Sequence, residues 1–129
     1  MFYVYSYTPE ITDTEASPHC KDLILTAGTI HQVDILFQDG CDHKVFVQIF
    51  RGNQQLFPTN RGEKFRGNAT AISFREFYDM QVGKTLLTAK IWTTLTTDFK
   101  EVIINIGVLP KEILQPMSFQ ELLKAATGL

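Results

Sequence analysis

The chain has 129 residues, the usual size of one domain and enough to bury one hydrophobic core without disulfide bonds. Its hydrophobic content of 44% and charged content of 20% are those of a globular protein and argue against disorder. The net charge of −2 gives no electrostatic reason to expect nucleic acid or an anionic membrane surface as a partner.

The sequence also indicates where the protein is made. No apolar run approaches the roughly 18–20 residues that span a bilayer, so we predict no membrane partner. The segment from Met1 to Thr8 lacks the basic residues and the apolar stretch of a secretory signal. We therefore expect no signal peptide and synthesis in the cytoplasm, followed by retention there or by incorporation into a virus particle.

Between Asp22 and Pro110 the chain alternates between runs rich in Val, Ile, Thr and Phe and turns that contain glycine. Short strands at this spacing, without helical patterns between them, are typical of antiparallel sandwiches and barrels. We predict one all-β domain over residues 1–129, an antiparallel two-sheet β-sandwich that is jelly-roll-like and has roughly seven to nine strands. The predicted core consists of Val33, Ile35, Phe37, Val45, Val47, Ile49, Ile72, Phe74, Leu87, Ile91, Val102, Ile104 and Ile106.

The first strand-like run, Phe2 to Tyr7, carries apolar or aromatic side chains on both faces. Such a strand needs cover from both sides, either within its own fold or from a neighbouring subunit. Residues 1–8 are therefore a candidate N-terminal arm strand. Its candidate interface residues are Tyr3, Val4, Tyr5 and Tyr7.

A long segment from Arg51 to Asn68 carries Pro58 and several charges. Loops of this length are uncommon in compact domains unless they bind something or have packing of their own. Basic and aromatic side chains together suit a phosphate- or sugar-binding tip, and the alternative is a solvated loop with one anchoring Phe. The candidate binding residues are Arg61, Lys64, Phe65 and Arg66.

Trp92 lies on the opposite face of its strand from the inward-facing Leu87 and Ile91. Its ring is either covered by a second layer or exposed for a partner or a sugar. We include Trp92 among the candidate interface residues.

All the histidines and cysteines lie between residues 19 and 43. Zinc prefers these donor types, but their spacing matches no standard zinc pattern, and two cysteines do not imply a disulfide scaffold. Asp39 and Asp42 offer calcium two oxygens, fewer than it requires. We predict no metal and no cofactor. The residues that a metal site would use are His19, Cys20, Cys41 and His43.

Catalytic motifs are absent from the sequence, which contains no nucleophile elbow, zincin motif or P-loop. Glu76 and Asp79 are the only pair of carboxylates near aromatic residues. A glycosidase needs two carboxylates that face each other across a cleft, whereas acids at a strand end are usually solvated turn residues. We therefore predict that the protein is not an enzyme.

Beyond Pro110 the pattern changes to a helical one. Ser118 and Glu121 form a capping box, and we predict one short C-terminal helix over residues 118–127. A helix of this length is marginal alone, so its apolar stripe must dock on something. Leu122 and Leu123 are thus further candidate interface residues.

These observations favour a non-catalytic structural or assembly module that self-associates or decorates a larger particle, such as a viral capsid, cement or tail component. We expect a homo-oligomer, a trimer or a higher ring, because a two-faced apolar strand is best covered by a symmetry mate. The alternative is a carbohydrate-binding module that uses Trp92, Tyr78 or the 51–68 segment. A third hypothesis is an unusual metal-dependent enzyme.

Overall fold

The computed structural model describes residues 1–110, and within them the chain is entirely β-structure and loops, without a helix. The predicted helix over residues 118–127, with Leu122 and Leu123, lies outside the described residues. The strands are β1 (Phe2–Tyr7), β2 (His19–Ile24), β3 (Gly28–Phe37), β4 (Val45–Arg51), β5 (Gln54–Phe57), β6 (Thr70–Met80), β7 (Leu86–Thr93) and β8 (Val102–Leu109).

The eight strands form two four-stranded antiparallel sheets, which confirms the predicted two-sheet architecture. Sheet 1 has the order β1-β8-β3-β6, and sheet 2 has the order β2-β7-β4-β5. The first strand pairs with the last, the second with the seventh, the third with the sixth and the fourth with the fifth. Consecutive strands β2 and β3 therefore lie in different sheets instead of forming a hairpin.

The hydrophobic core lies between the two sheets because successive side chains of a strand point to opposite faces. In β8, for example, Val102, Ile104 and Ile106 are all at most 1% exposed. The predicted core residues are buried except Ile72 and Phe74, which are half-buried and packed against the core. Both belong to β6, an edge strand, where a side chain has neighbours on only one side.

The connections differ in length between the two ends of the sandwich. Those at one end, residues 25–27, 52–53 and 81–85, are short, whereas residues 8–18, 38–44, 58–69 and 94–101 at the other end form long loops. Every described non-glycine residue with a positive φ lies in the long loops. These residues are Asp42, His43, Ala69 and Asp98.

The segment from Arg51 to Asn68 differs from the loop that the sequence predicts. Its first part forms β5, which pairs with β4 through a tight turn at Gly52 and Asn53. Farther on, Phe65 exchanges backbone hydrogen bonds of 3.0 and 2.9 Å with Val47. The segment therefore covers the part of the β4 edge that β5 leaves unpaired. It has packing of its own, which is one of the two properties expected of so long a loop.

Candidate interaction surfaces

The tyrosine face of β1 packs on its own chain. β1 pairs with β8 along its whole length, and the tyrosine side chains point toward the core. Tyr3 Oη lies 2.9 Å from Thr26 Oγ1, and Tyr5 Oη donates a 2.6 Å hydrogen bond to the carbonyl of Ile24 at the edge of sheet 2. These tyrosines thus close the gap between the two sheets.

Tyr7 belongs to a small, partly buried cluster with Asp13 of the first long loop and His19 of β2. Its hydroxyl donates a 2.5 Å hydrogen bond to Asp13, and its ring stacks on His19 at 3.7 Å between centroids. Desolvation and the Asp13 carboxylate raise the pKa of Tyr7 above its usual value. His19 is therefore engaged by an aromatic ring in the fold.

The opposite face of β1 is exposed to solvent. Phe2 and Val4 are 64% and 66% exposed, and they lie on the outer face of sheet 1. Phe77 of β6 lies at the other side of the same face and is 80% exposed. We call this outer face of sheet 1 the open face. It includes Phe2, Val4, His31, Gln32, Arg75, Phe77 and Leu109.

A bulge in β3 shapes the open face. Between Ile30 and Gln32 the register shifts against both neighbouring strands, so that His31 is an extra residue opposite Gly107 of β8. The His31 and Phe2 rings pack edge to face above Gly107, with 5.6 Å between their centroids. A Cβ at position 107 would lie 2.7 Å from an atom of each ring, so glycine permits this arrangement.

Phe77 lies on the solvent side of β6 because the side chains of this strand alternate without interruption, with Phe74, Glu76 and Tyr78 on the inner side. The register against β3 passes from Tyr78 to Arg75 and leaves two β6 residues opposite His31. A depression of about 300 Å³ beside Phe77 is lined by His31, Gln32, Arg75, Phe77 and Leu109. The alternation that places Phe74 inward therefore also places Phe77 outward, and the bulge sets only which β3 residues lie opposite it.

Trp92 is covered, which removes it as an exposed stacking surface. It is 3% exposed and stacks on Phe46 with ring centroids 5.5 Å apart. Lys64 Nζ lies 5.6 Å from the Trp92 ring centroid and 5.2 Å from that of Phe46. The same ammonium group is 3.5 Å from Glu15 Oε1, so the first and third long loops meet above the two rings.

The candidate binding loop divides into structural and exposed residues. Lys64 covers the Trp92 ring, and Phe65 stacks on Phe74 with centroids 5.6 Å apart. Arg61 and Arg66 are exposed. Only the two arginines of this set therefore offer free side chains to a partner in the described structure.

Gln55 organises this loop, a role that no pattern in the sequence indicates. Its Nε2 donates to the carbonyl oxygens of Pro58 at 2.7 Å, Glu63 at 3.1 Å and Asn60 at 3.3 Å. Its Oε1 accepts a 3.1 Å hydrogen bond from the backbone of Gly62. One side chain thereby holds four backbone groups of the loop.

The cysteines and histidines do not converge in the fold. Cys20 is exposed and Cys41 is buried, and both are free thiols. Burial raises the pKa of the Cys41 thiol, as expected for a core residue. Across residues 1–110 no group of three His, Cys, Asp or Glu side chains is arranged to hold a metal ion.

A polar depression of about 560 Å³ lies among the long loops. It is lined in part by Asp39, Asp42, Asp98 and Lys100. Asn68 Oδ1 accepts hydrogen bonds from the backbone of Gly40 at 2.9 Å and of Asp42 at 3.0 Å. The Asn68 side chain therefore ties the loop after β3 to the loop before β6.

No family model matches this chain, and no curated protein or solved structure is significantly similar to it. Within the described part of the chain, no helix is long and apolar enough to cross a membrane.

Proposed function

We propose that this chain is a non-catalytic assembly module, a jelly-roll sandwich that self-associates or attaches to a larger protein particle through its open face. The strand order supports the jelly-roll assignment, since each strand of the first half pairs with its counterpart in the second half. Jelly rolls also build viral capsids, so a virus-particle component is the analogy at fold level.

The exposure of Phe77 is the observation that carries the proposal. The Phe77 ring is 80% exposed, and Phe2 and Val4, on the opposite edge strand of the same sheet face, are exposed as well. Antiparallel sheets that face water usually alternate between apolar inward and polar outward residues. Exposed apolar groups gathered on one face mark protein interaction sites.

A closed homo-oligomer, a trimer or a higher ring, is the form of assembly that we favour. Closed symmetry buries an apolar face in every subunit and leaves none exposed for unlimited growth. The proposed contact is therefore the open face, with the Phe2 and Val4 side of β1, whereas the tyrosine side of the same strand is engaged within the chain.

The carbohydrate-binding alternative has fewer residues to use in this fold. The Trp92 ring is covered, and the Tyr78 hydroxyl is buried. Carbohydrate recognition by stacking needs an aromatic ring with an accessible face. We therefore rank this alternative below assembly, and a metal-dependent enzyme below both.

Paired substitutions test the assembly proposal. The double variant Val4→Ser/Phe77→Ser removes exposed apolar groups from the open face, and Val82→Ser removes a valine that is 86% exposed from the β6–β7 turn. Light scattering after size-exclusion chromatography should show that the double variant is monomeric and that Val82→Ser keeps the parental mass. Equal masses for all three proteins would reject the open face as the interface.

A further inference from the structure

A cleft opens between the two sheets at the β5 and β6 edge, away from the open face. It has a volume of about 290 Å³ and is lined by three phenylalanines, by Glu76 and by residues 58–60. It exists because β6 has eleven residues whereas the facing strand β5 has only four. The 58–65 loop, rather than another strand, covers the inner face of β6 there.

The cleft has an aromatic wall. Phe74 lies between Phe65, which stacks on it at 5.6 Å, and Phe57, which is tilted against it at 5.4 Å between centroids. Phenyl faces carry partial negative charge and attract cations. This wall therefore favours an apolar body or a cationic group and disfavours an anion.

Among residues 1–110, Glu76 supplies the only charge that lines the cleft. Glu76 is a half-buried residue, two positions after Phe74 on the same side of β6. Among residues 1–110 no hydrogen bond or ion pair joins the Glu76 side chain to another group. A partly desolvated carboxylate without a partner is unfavourable, and a cation would compensate it.

The wall formed by the loop is held in place before any ligand arrives. Gln55 hydrogen-bonds the carbonyl oxygens of Pro58 and Asn60, both in the segment that lines the cleft. A preorganised wall lowers the entropy that binding must otherwise supply. The cleft is therefore suited to a ligand and is not merely a gap that the loop would close.

We propose that this cleft binds a small organic ammonium ion, with the cationic head against Glu76 and the apolar body against the phenyl rings. The volume is at the lower limit of small-molecule pockets, which fits a ligand with about one ring. Aromatic rings beside a carboxylate attract an ammonium group through both the ring faces and the negative charge.

The test is an NMR titration of the ¹⁵N-labelled full-length protein with benzylammonium and, separately, with the neutral benzyl alcohol. Benzylammonium should saturate shifts at residues 58–60, 65, 74 and 76 in the millimolar range, and about tenfold more tightly than benzyl alcohol, a difference of 1.4 kcal/mol. Glu76→Gln should reduce the affinity for benzylammonium to that for the alcohol.

Glu63→Gln is the matched control because Glu63 lies in the loop that covers the cleft, is exposed and does not itself line the cleft. It should leave both affinities unchanged. Equal affinity for the two probes, equal loss in the two variants, or shifts that map elsewhere would each overturn the proposal. None of these readouts involves the open face, so the assembly proposal and this one fail independently.

Discussion

Gly28 is the residue whose lack of a side chain matters most to the sandwich. It begins β3 with a φ of 156°, and a Cβ there would overlap the backbone carbonyl oxygen of Leu109 on β8. Backbone cannot move aside as a flexible side chain can. The close approach of β3 and β8 at this point therefore requires glycine.

We expect Gly28→Ala to lower the free energy of unfolding by about 2–4 kcal/mol, since it combines steric overlap with backbone strain. Gly62→Ala is the comparison: its φ is 88°, but nothing lies within 4 Å of the new Cβ. It should cost only about 1–2 kcal/mol, the usual cost of a left-handed conformation. Urea denaturation measures both, and equal losses would contradict the overlap.

Ile104 and Ile103 test which face of β8 is inward. Ile104 is 1% exposed between the sheets, whereas Ile103 lies on the outer face and is half-buried. Ile104→Ala should cost roughly 2–5 kcal/mol, as large-to-small changes do in packed cores. Ile103→Ala should cost less than about half of that, and a reversed order in chemical denaturation would mean a register shifted by one residue.

Tyr5 makes the stability of the fold depend on pH in the alkaline range. Desolvation, with a smaller contribution from Tyr3, raises the pKa of Tyr5 from 10.0 to about 12. The pKa of Tyr5 is higher in the folded than in the unfolded state. Its contribution to the free energy of unfolding is therefore fully present below pH 10 and is lost as the pH rises toward 12. Stability measured across this window should fall less steeply in Tyr5→Phe than in the parent protein. An identical slope would contradict burial of this hydroxyl.

At the scale of elements, β5 and the loop after it depend on one glutamine. Gln55→Ala leaves several backbone groups of the loop without a partner and should cost about 1–3 kcal/mol. The adjacent Gln54 is exposed, so Gln54→Ala should cost less than about 0.5 kcal/mol. Hydrogen exchange at residues 58–64 should accelerate only in Gln55→Ala. Equal exchange in the two variants would show that the loop keeps its conformation without the Gln55 side chain.

Strands with strict alternation, such as β8, could be predicted from the sequence because their apolar rows follow the period of two. β5 could not, because Gln54 and Gln55 are polar and its pairing depends on the turn before it. The cover over Trp92 was equally hidden, since Lys64 reaches it from a distant loop. In each case the deciding contact joins residues far apart in sequence or follows from side-chain geometry.

The candidate surfaces show the same division. The two-sided character of β1 is visible in its sequence, but which side stays exposed depends on its pairing with β8. Phe77 points outward by the alternation of β6, but the position of β6 at the edge of sheet 1 depends on its pairing with β3. The cleft beside Glu76 depends on unequal strand lengths in two different sheets. Periodicity within one strand shows which side chains share a face, but not which strands pair or where the two sheets leave a cleft.

At the scale of the whole molecule, the ends of the described chain are brought together. The N-terminal ammonium group of Met1 donates a 2.8 Å hydrogen bond to the carbonyl of Val108. β1 is therefore an integral strand of sheet 1, and deleting residues 1–8 would remove part of the fold as well as part of the proposed interface. Point substitutions on the open face are the sharper test of assembly.

The mass of the full-length protein in solution, measured by light scattering from low to high micromolar concentration, tests the central claim most directly. The open face predicts a discrete oligomer, a trimer or a larger ring, that becomes monomeric in Val4→Ser/Phe77→Ser while the β spectrum is retained. A parent protein that stays monomeric at high micromolar concentration would contradict self-association through this face.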